Sequence, residues 1–242
     1  MKQGYGVFGR AYETMLKNDL HDRKSIDHRF LQEMILLEPC SKDLLYSTVN
    51  FHDMTGHELF AFAQRFASAD DKQTVKAVLS FTSGIALNYE VDFDKMLFGG
   101  SEKQILERGT DWCADMTRVG AVLLQCLGIP CRIVHLANLK KAYNGHVIGE
   151  AYYNGGYGLV DFIYGFQFYK DKKPASAYDV LCDKIFPEEC EEDYKGLFSA
   201  IAINEYDPTD SKNDYTVSRP NEYCKRLIHE DHNGKWIMGE DK

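Results

Sequence analysis

The sequence lacks the features of several familiar protein classes. None of its apolar runs approaches the roughly 18 residues that a transmembrane helix needs. It contains no phosphate-binding glycine loop, no serine nucleophile elbow and no cysteine pair with zinc-type spacing. Residues 1–20 carry charge throughout and contain no secretory apolar core. We therefore expect no membrane association and a cytoplasmic location.

Basic residues are also scarce, and the cysteines form no recognisable framework. The 28 Lys and Arg residues are outnumbered by 37 Asp and Glu, for a net charge of −9. Nucleic-acid binding depends on a basic surface, so we expect no nucleic-acid partner. Seven scattered cysteines, an odd number, favour a reducing compartment over a set of disulfides. The acidic stretch at 187–193 is interpreted as a solvated face.

Hydrophobic periodicity predicts an α+β chain in which helices precede antiparallel strands. Ser101 and Gln104 form a capping box at the start of one helix. Thr110 or Asp111 is expected to cap a later helix that Gly128 terminates. The predicted helices cover 27–37, 57–67, 73–89, about 113–127 and 175–185, and the predicted strands cover 131–136, 146–153 and 157–162, with a small hairpin at Asn233-Gly234.

Cys113 is the residue with the clearest chemical potential. It lies in the first turn of its helix whichever residue caps it. The unpaired N–H groups and the positive dipole end of a helix favour a thiolate there, and the same N–H groups can stabilise an oxyanion. A thiolate nucleophile also needs a base, and that base needs an orienting group.

The predicted hairpin supplies both of these groups. A two-residue turn at Asn154-Gly155 places Tyr153 opposite Gly156, and this register brings His146 and Asp161 onto one face as diagonal neighbours. Such neighbours lie about 7–8 Å apart, within reach of a His–carboxylate hydrogen bond. A three-residue loop would send the two side chains to opposite faces.

Two segments together carry a resemblance to a known family. They are ERGTDWCADMTRVGAVLLQCLGIPCRIVHL and NGHVIGEAYYNGGYGLVDFIYG. Their ordered motifs are a glycine shortly before a cysteine, an acidic residue two positions after it, the pattern L-G-I-P-x-R, a histidine that starts a strand and an aspartate that ends the next one. In this pattern the chain resembles the transglutaminase-like superfamily, especially bacterial members with a GHV–EVYY–DG–DPDYG pattern. The matching positions are Gly109, Cys113, Asp115, the run 127–132, His146 and Asp161.

The resemblance implies a papain-like α+β core and a Cys–His–Asp triad. Cys113 would be the nucleophile, His146 the general base and acid, and Asp161 the orienting group. The implied chemistry is acyl transfer from amides to an amine or water, on a peptide, amide or amine-bearing substrate, with no metal or organic cofactor. We expect a single domain over 1–242, with a helical part at 1–74, a catalytic core at 75–170 and a C-terminal extension at 171–242.

Some positions depart from the family pattern. Ile148 stands where an aromatic residue is frequent, Phe162 replaces the usual proline after the aspartate, and Tyr157 replaces a tryptophan. These differences leave all three triad groups in place and bear on substrate preference.

Several assignments stay open at this point. Trp112, Asn88 and Tyr89 are candidates for substrate binding or for the second oxyanion donor, and His135 is a rival base. Asp115 is expected to cap or ion-pair locally, for instance with Arg118 or Arg132. An inactive transglutaminase-like binding module and a metal-dependent hydrolase using a Cys/His/Asp cluster are the alternative functions.

Overall fold

A computed structural model of the chain describes residues 35–92, 94–138, 145–209 and 216–219. The α-helices in these ranges are α1 (Lys42–Tyr46), α2 (Phe60–Ala63), α3 (Asp71–Asn88), α4 (Glu102–Arg108), α5 (Cys113–Cys126), α6 (Ala177–Asp183) and α7 (Glu192–Gly196). The strands are β1 (Ile35–Leu36), β2 (Cys131–Ala137), β3 (Gly145–Tyr153), β4 (Gly156–Asp161), β5 (Phe166–Gln167), β6 (Tyr169–Lys170), β7 (Lys173–Pro174) and β8 (Ala200–Asn204). Short 3-10 turns occupy Pro39–Ser41, Gln64–Phe66 and Leu197–Ser199.

One antiparallel sheet organises the described chain. Its strand order is β1-β8-β2-β3-β4-β5, and β6 with β7 forms a separate two-stranded ribbon. Strand β8 arrives after α7, yet it lies between β1 and β2 and pairs with both. The predicted α+β class is therefore confirmed, and the C-terminal part of the chain contributes to the central sheet.

The helix α5 forms the centre of the core. Every residue of α5 except Ala114 is buried. The Phe162 ring sits against this helix so closely that a Cβ on Gly120 would lie 2.1 Å from the ring atom Cδ1. The same ring closes on β3, where a Cβ on Gly149 would lie 2.6 Å from it. Two glycines, one on the helix and one on the strand, thus make room for one aromatic ring.

The hairpin between β3 and β4 has the predicted register. Asn154 and Gly155 have φ values of 51° and 78°, as a two-residue type I′ turn requires. Tyr153 lies opposite Gly156, and Gly149 lies opposite Val160. The helix signals are confirmed as well, since Ser101 and Gln104 form the capping box and Gly128 follows α5 with φ of 77°.

Several predicted elements differ from the structure. Ile35–Leu36 is a strand and not the end of a helix, because this short apolar run pairs with β8 at the sheet edge. The helix predicted over 57–67 is only α2 followed by a 3-10 turn, Gln64–Phe66. Neither Thr110 nor Asp111 is the N-cap of α5, which is Trp112. The Asn233-Gly234 hairpin lies outside the described residues.

Candidate active site

Three neighbouring elements bring the predicted triad residues together. Cys113 is the first residue of α5, His146 the second residue of β3, and Asp161 the last residue of β4. The His146 Nε2 atom lies 2.8 Å from Asp161 Oδ2, which confirms the His–carboxylate hydrogen bond expected from the hairpin register. A side-chain hydrogen bond also links His146 to Cys113. With Nε2 engaged by Asp161, ring nitrogen Nδ1 is the atom available to the Cys113 sulfur.

The Asp161 carboxylate is fixed through both of its oxygens. Oδ1 accepts hydrogen bonds from the backbone N–H of Ile163 at 2.8 Å and of Tyr164 at 3.0 Å, in the turn that follows β4. Oδ2 accepts from the Tyr194 hydroxyl at 2.7 Å in addition to its contact with His146. Asp161 has no exposed surface. A buried carboxylate with this many donors keeps both its charge and its orientation.

The histidine and the aspartate stabilise each other's charged forms. Burial by itself would lower the pKa of His146, but the Asp161 carboxylate and the contact with Cys113 outweigh burial and raise that pKa to about 10. Burial by itself would raise the pKa of Asp161, yet His146, the Tyr164 N–H and the Tyr194 hydroxyl together hold it below its usual range. The pair is therefore an imidazolium beside a carboxylate at neutral pH.

A hydrogen bond within the loop and an aromatic contact order the segment that precedes Cys113. The Thr110 hydroxyl accepts a hydrogen bond from the Trp112 backbone N–H at 2.9 Å, so Thr110 orders the turn although it does not cap the helix. The Trp112 ring stacks on Phe98 with centroids 4.1 Å apart and lies in the core. Cys113 itself is buried, with only 3% of its surface exposed.

Asp115 anchors the start of α5 to the segments before it. Its Oδ2 accepts from the Gly99 backbone N–H at 2.9 Å and from Arg108 Nη2 at 2.8 Å. The Arg118 guanidinium lies 4.0 Å from Oδ1, so the expected local ion pair involves Arg118. Arg132 is not its partner, because Arg132 is paired with Glu150 instead.

The two upstream candidates for the oxyanion donor lie in different environments. The Asn88 side-chain amide donates to the Gly84 carbonyl within its own helix at 2.8 Å. The Tyr89 ring lies beside Gly109, where an added Cβ would be 3.3 Å from the ring. Burial and the nearby Asp111 charge raise the pKa of Tyr89, and Arg108 opposes this rise. Tyr89 thus flanks the loop that leads to Cys113, whereas the Asn88 amide is engaged locally. A donor role for either residue remains a prediction.

His135 lies on the other face of the sheet from His146. Leu136 is the residue opposite His146, and His135 is opposite Val147. Successive side chains of a strand point to opposite faces, so the two histidines are separated by the sheet. Burial lowers the pKa of His135 to about 4, which keeps it neutral at physiological pH. This placement disfavours His135 as the base for Cys113.

Two tyrosines of the site were missed by sequence reasoning. Tyr164 and Tyr194 both contact the imidazole, with ring centroids 5.7 Å and 6.0 Å from that of His146. Tyr164 is half-buried and Tyr194 is buried. The acidic stretch at 187–193 concealed the signal, because its Asp and Glu residues are all exposed and Cys190 is its one buried residue.

The described part of the chain offers no evident metal centre or membrane segment. No group of three or more His, Cys, Asp or Glu side chains within it is arranged to hold a metal ion. None of its helices combines the length and apolar character that crossing a bilayer demands.

Comparison with known proteins places this site in a family. Residues 61–162 match the family model described as the transglutaminase-like superfamily, and all three triad positions fall inside the matched segment. This segment belongs to the transglutaminase-like superfamily. The predicted recognition is thereby confirmed, while Tyr194 lies beyond the matched residues. No curated protein matches the chain.

Two solved structures are similar to part of this chain. One, from Cytophaga hutchinsonii and named a "putative cysteine protease", is 19% identical over 57% of this chain and 48% of its own, with a TM-score of 0.35. The other, from Parabacteroides distasonis and named a "putative protease", is 14% identical over 50% of this chain and 29% of its own, with a TM-score of 0.33. The matched region spans about half of the first chain and under a third of the second.

Proposed function

We propose that the protein is a cysteine acyltransferase or amidohydrolase that forms a thioester on Cys113. The observation that supports this most strongly is the contiguous hydrogen-bonded series from Cys113 through His146 to the buried Asp161 carboxylate. A nucleophile, a base and an orienting group in this order are what covalent acyl transfer requires. Their place inside a transglutaminase-like segment supports the same proposal.

The first half-reaction breaks an amide bond. The Cys113 thiolate attacks the carbonyl carbon of the donor and forms a C–S bond, while the carbonyl oxygen takes up negative charge near the N-terminus of α5. The His146 imidazolium gives its proton to the leaving nitrogen, the C–N bond breaks and an amine or ammonia departs. Asp161 holds the imidazole in orientation throughout and keeps its own charge.

The second half-reaction releases the acyl group. The now neutral His146 removes a proton from an incoming amine or water, which attacks the thioester carbonyl. The C–S bond breaks, the thiolate of Cys113 leaves, and the imidazolium is restored. An amine acceptor gives transamidation and water gives hydrolysis. The substrate class we propose is a peptide or other compound with an accessible amide.

A panel of peptides with side-chain or backbone amides, offered with a biotin-labelled primary amine, tests the proposal. Mass spectrometry would follow both amine incorporation and loss of the amide nitrogen. We expect turnover by the wild type and none by Cys113→Ala. Cys182→Ala, at an exposed cysteine, is the matched control and should retain full activity.

Two results of this experiment would count against acyl transfer. Activity that survives in Cys113→Ala would exclude this cysteine as the nucleophile. Binding of the peptides without turnover by any variant would support the alternative of an inactive binding module.

A further inference from the structure

We infer that Tyr194, in the C-terminal part of the chain, is a positioning residue for the proposed triad and acts through Asp161. This inference rests on the proposed function, because it assigns Tyr194 a task in the same site. Tyr194 lies outside the family-matched residues 61–162. The C-terminal part would then be a component of the active site as well as of the sheet.

Hydrogen-bond geometry is the first step of the argument. The Tyr194 hydroxyl donates to Asp161 Oδ2 at 2.7 Å, and the same oxygen is 2.8 Å from His146 Nε2. The other oxygen is fully engaged by two backbone N–H groups, those of Ile163 and Tyr164. Tyr194 is therefore the second side-chain donor on the one oxygen that faces the imidazole, and it fixes the direction in which that oxygen points.

Burial makes this hydrogen bond consequential. Asp161 is 0% exposed and Tyr194 is 9% exposed, so water does not readily replace the hydroxyl. Burial and the neighbouring Asp161 charge raise the pKa of Tyr194 well above its usual value. The phenol consequently keeps its proton and donates over the whole physiological range. Hydrogen bonds to a buried charge are worth more than neutral ones.

Packing holds the phenol in place. The Tyr194 ring has edge contacts with Tyr164 and Phe166 at centroid distances of 5.6 Å and 5.5 Å, and it lies 5.7 Å from Phe198. Its helix α7 is followed directly by the turn and the strand β8 that enter the central sheet. Because the Tyr194 side chain is confined by this packing, its hydroxyl holds the Asp161 carboxylate in one orientation.

The hydroxyl also affects the charge of Asp161. A donor to the carboxylate favours the ionised form, and the Tyr194 bond is one of the contacts that lower the pKa of Asp161. Without it, Asp161 would take up a proton at a higher pH. As the pH falls, the His146 imidazole would then lose its charged carboxylate partner at a higher pH than in the wild type.

Alkylation of Cys113 by iodoacetamide tests this role without a known substrate. The rate would be followed by peptide-mapping mass spectrometry across a pH series, with thermal unfolding measured in parallel. We expect Tyr194→Phe to slow alkylation at neutral pH roughly tenfold, the effect of losing about one hydrogen bond to a charged group. We also expect the acid-side midpoint of the pH profile to move to higher pH.

Tyr153→Phe is the matched control for this substitution. It removes the hydroxyl of another buried tyrosine. Tyr153 lies seven residues after His146 on β3, which is roughly 23 Å along the strand. We expect it to alter thermal stability but to leave the alkylation rate and its pH profile unchanged.

Combination with Asp161→Asn tests whether Tyr194 acts through Asp161. In that background Tyr194→Phe should add no further slowing. A wild-type pH profile in Tyr194→Phe, or the same slowing with and without Asp161, would overturn the inference. If Tyr194→Phe does not fold, 3-fluorotyrosine at position 194 keeps the ring and strengthens the donor. It should move the acid-side midpoint to lower pH, and an unchanged midpoint would overturn the inference.

The same data separate this inference from the proposed function. If the wild-type Cys113 is no more reactive than the exposed Cys40 and Cys182, the nucleophile assignment fails, and this inference fails with it. A reactive wild type with an unaffected Tyr194→Phe leaves the proposed function standing and removes Tyr194 from it.

Discussion

The contact between Gly120 and Phe162 predicts a large effect for a very small substitution. Gly120→Ala would place a Cβ 2.1 Å, 2.3 Å and 2.5 Å from three ring atoms of Phe162. The ring has no exposed surface and is also confined by Gly149, so it has little room to move. The added methyl group must therefore displace either the helix α5 or the turn that begins with Phe162.

Two opposing contributions set the magnitude. Alanine is favoured over glycine inside a helix by about 1 kcal/mol. Overpacking a well-filled core costs about 1–3 kcal/mol. Because the clash involves ring atoms close to the Phe162 backbone, we place the cost at the upper end, for a net loss of about 1–2 kcal/mol in the free energy of unfolding. Phe162 directly follows Asp161, so we also expect slower alkylation of Cys113.

Urea denaturation provides the assay, and Gly84 provides the matched control. Gly84 lies within α3, and an added Cβ there meets no atom within 4 Å. Gly84→Ala should therefore stabilise the protein by about 0.5–1 kcal/mol. Gly120→Ala should cost less in a Phe162→Leu background than in the wild type. Equal stabilisation by Gly120→Ala and Gly84→Ala would refute the packing argument.

Other properties of the fold are predicted with similar directness. Glu150→Ala should lower the free energy of unfolding by about 3–5 kcal/mol, because it removes the buried carboxylate that lies 2.8 Å from the Arg132 guanidinium and leaves this buried cation with only the more exposed Glu205 carboxylate at 3.3 Å. A loss below about 1 kcal/mol in urea denaturation would contradict this. The pKa of His146 is raised to about 10 in the folded protein from about 6.5 in the unfolded chain. The contribution of His146 to the free energy of unfolding is therefore complete below pH 6.5 and declines as pH rises toward 10. Asp161→Asn should flatten that decline in denaturation measured over a pH series. Gly128→Ala should cost about 1–2 kcal/mol from backbone strain alone, since φ is 77° and no atom is near the new Cβ; thermal unfolding would show no shift if strain were absent.

The placement of Cys113, His146 and Asp161 could be predicted from the sequence because it depends on local patterns. The Asn154-Gly155 turn fixes the register of β3 and β4, and period-two alternation then brings His146 and Asp161 to one face. The long apolar helix with Gly128 after it placed Cys113 at a helix start. These signals depend only on neighbours in sequence, so no knowledge of the tertiary fold was needed.

The features of the fold and the site that the sequence did not predict depend on contacts between distant segments. β8 inserts between β1 and β2, and the four apolar residues with which it begins do not indicate which strands it will pair with. Tyr194 reaches Asp161 across 33 sequence positions from a stretch dominated by acidic residues. Trp112 became the N-cap of α5 because Thr110 orders the preceding turn and the Trp112 ring stacks on Phe98. Tertiary packing decided each of these outcomes.

Intact-mass spectrometry of an acyl-enzyme tests the central claim most directly. The wild-type protein would be mixed with the amide peptides, quenched rapidly in acid and mapped to the modified residue. The account predicts a mass increase equal to the acyl group, located on Cys113. Hydroxylamine should remove this group, and the Cys113→Ser variant should form no thioester at position 113. An acyl group on another residue, or turnover with no adduct on Cys113 under any quench, would contradict it.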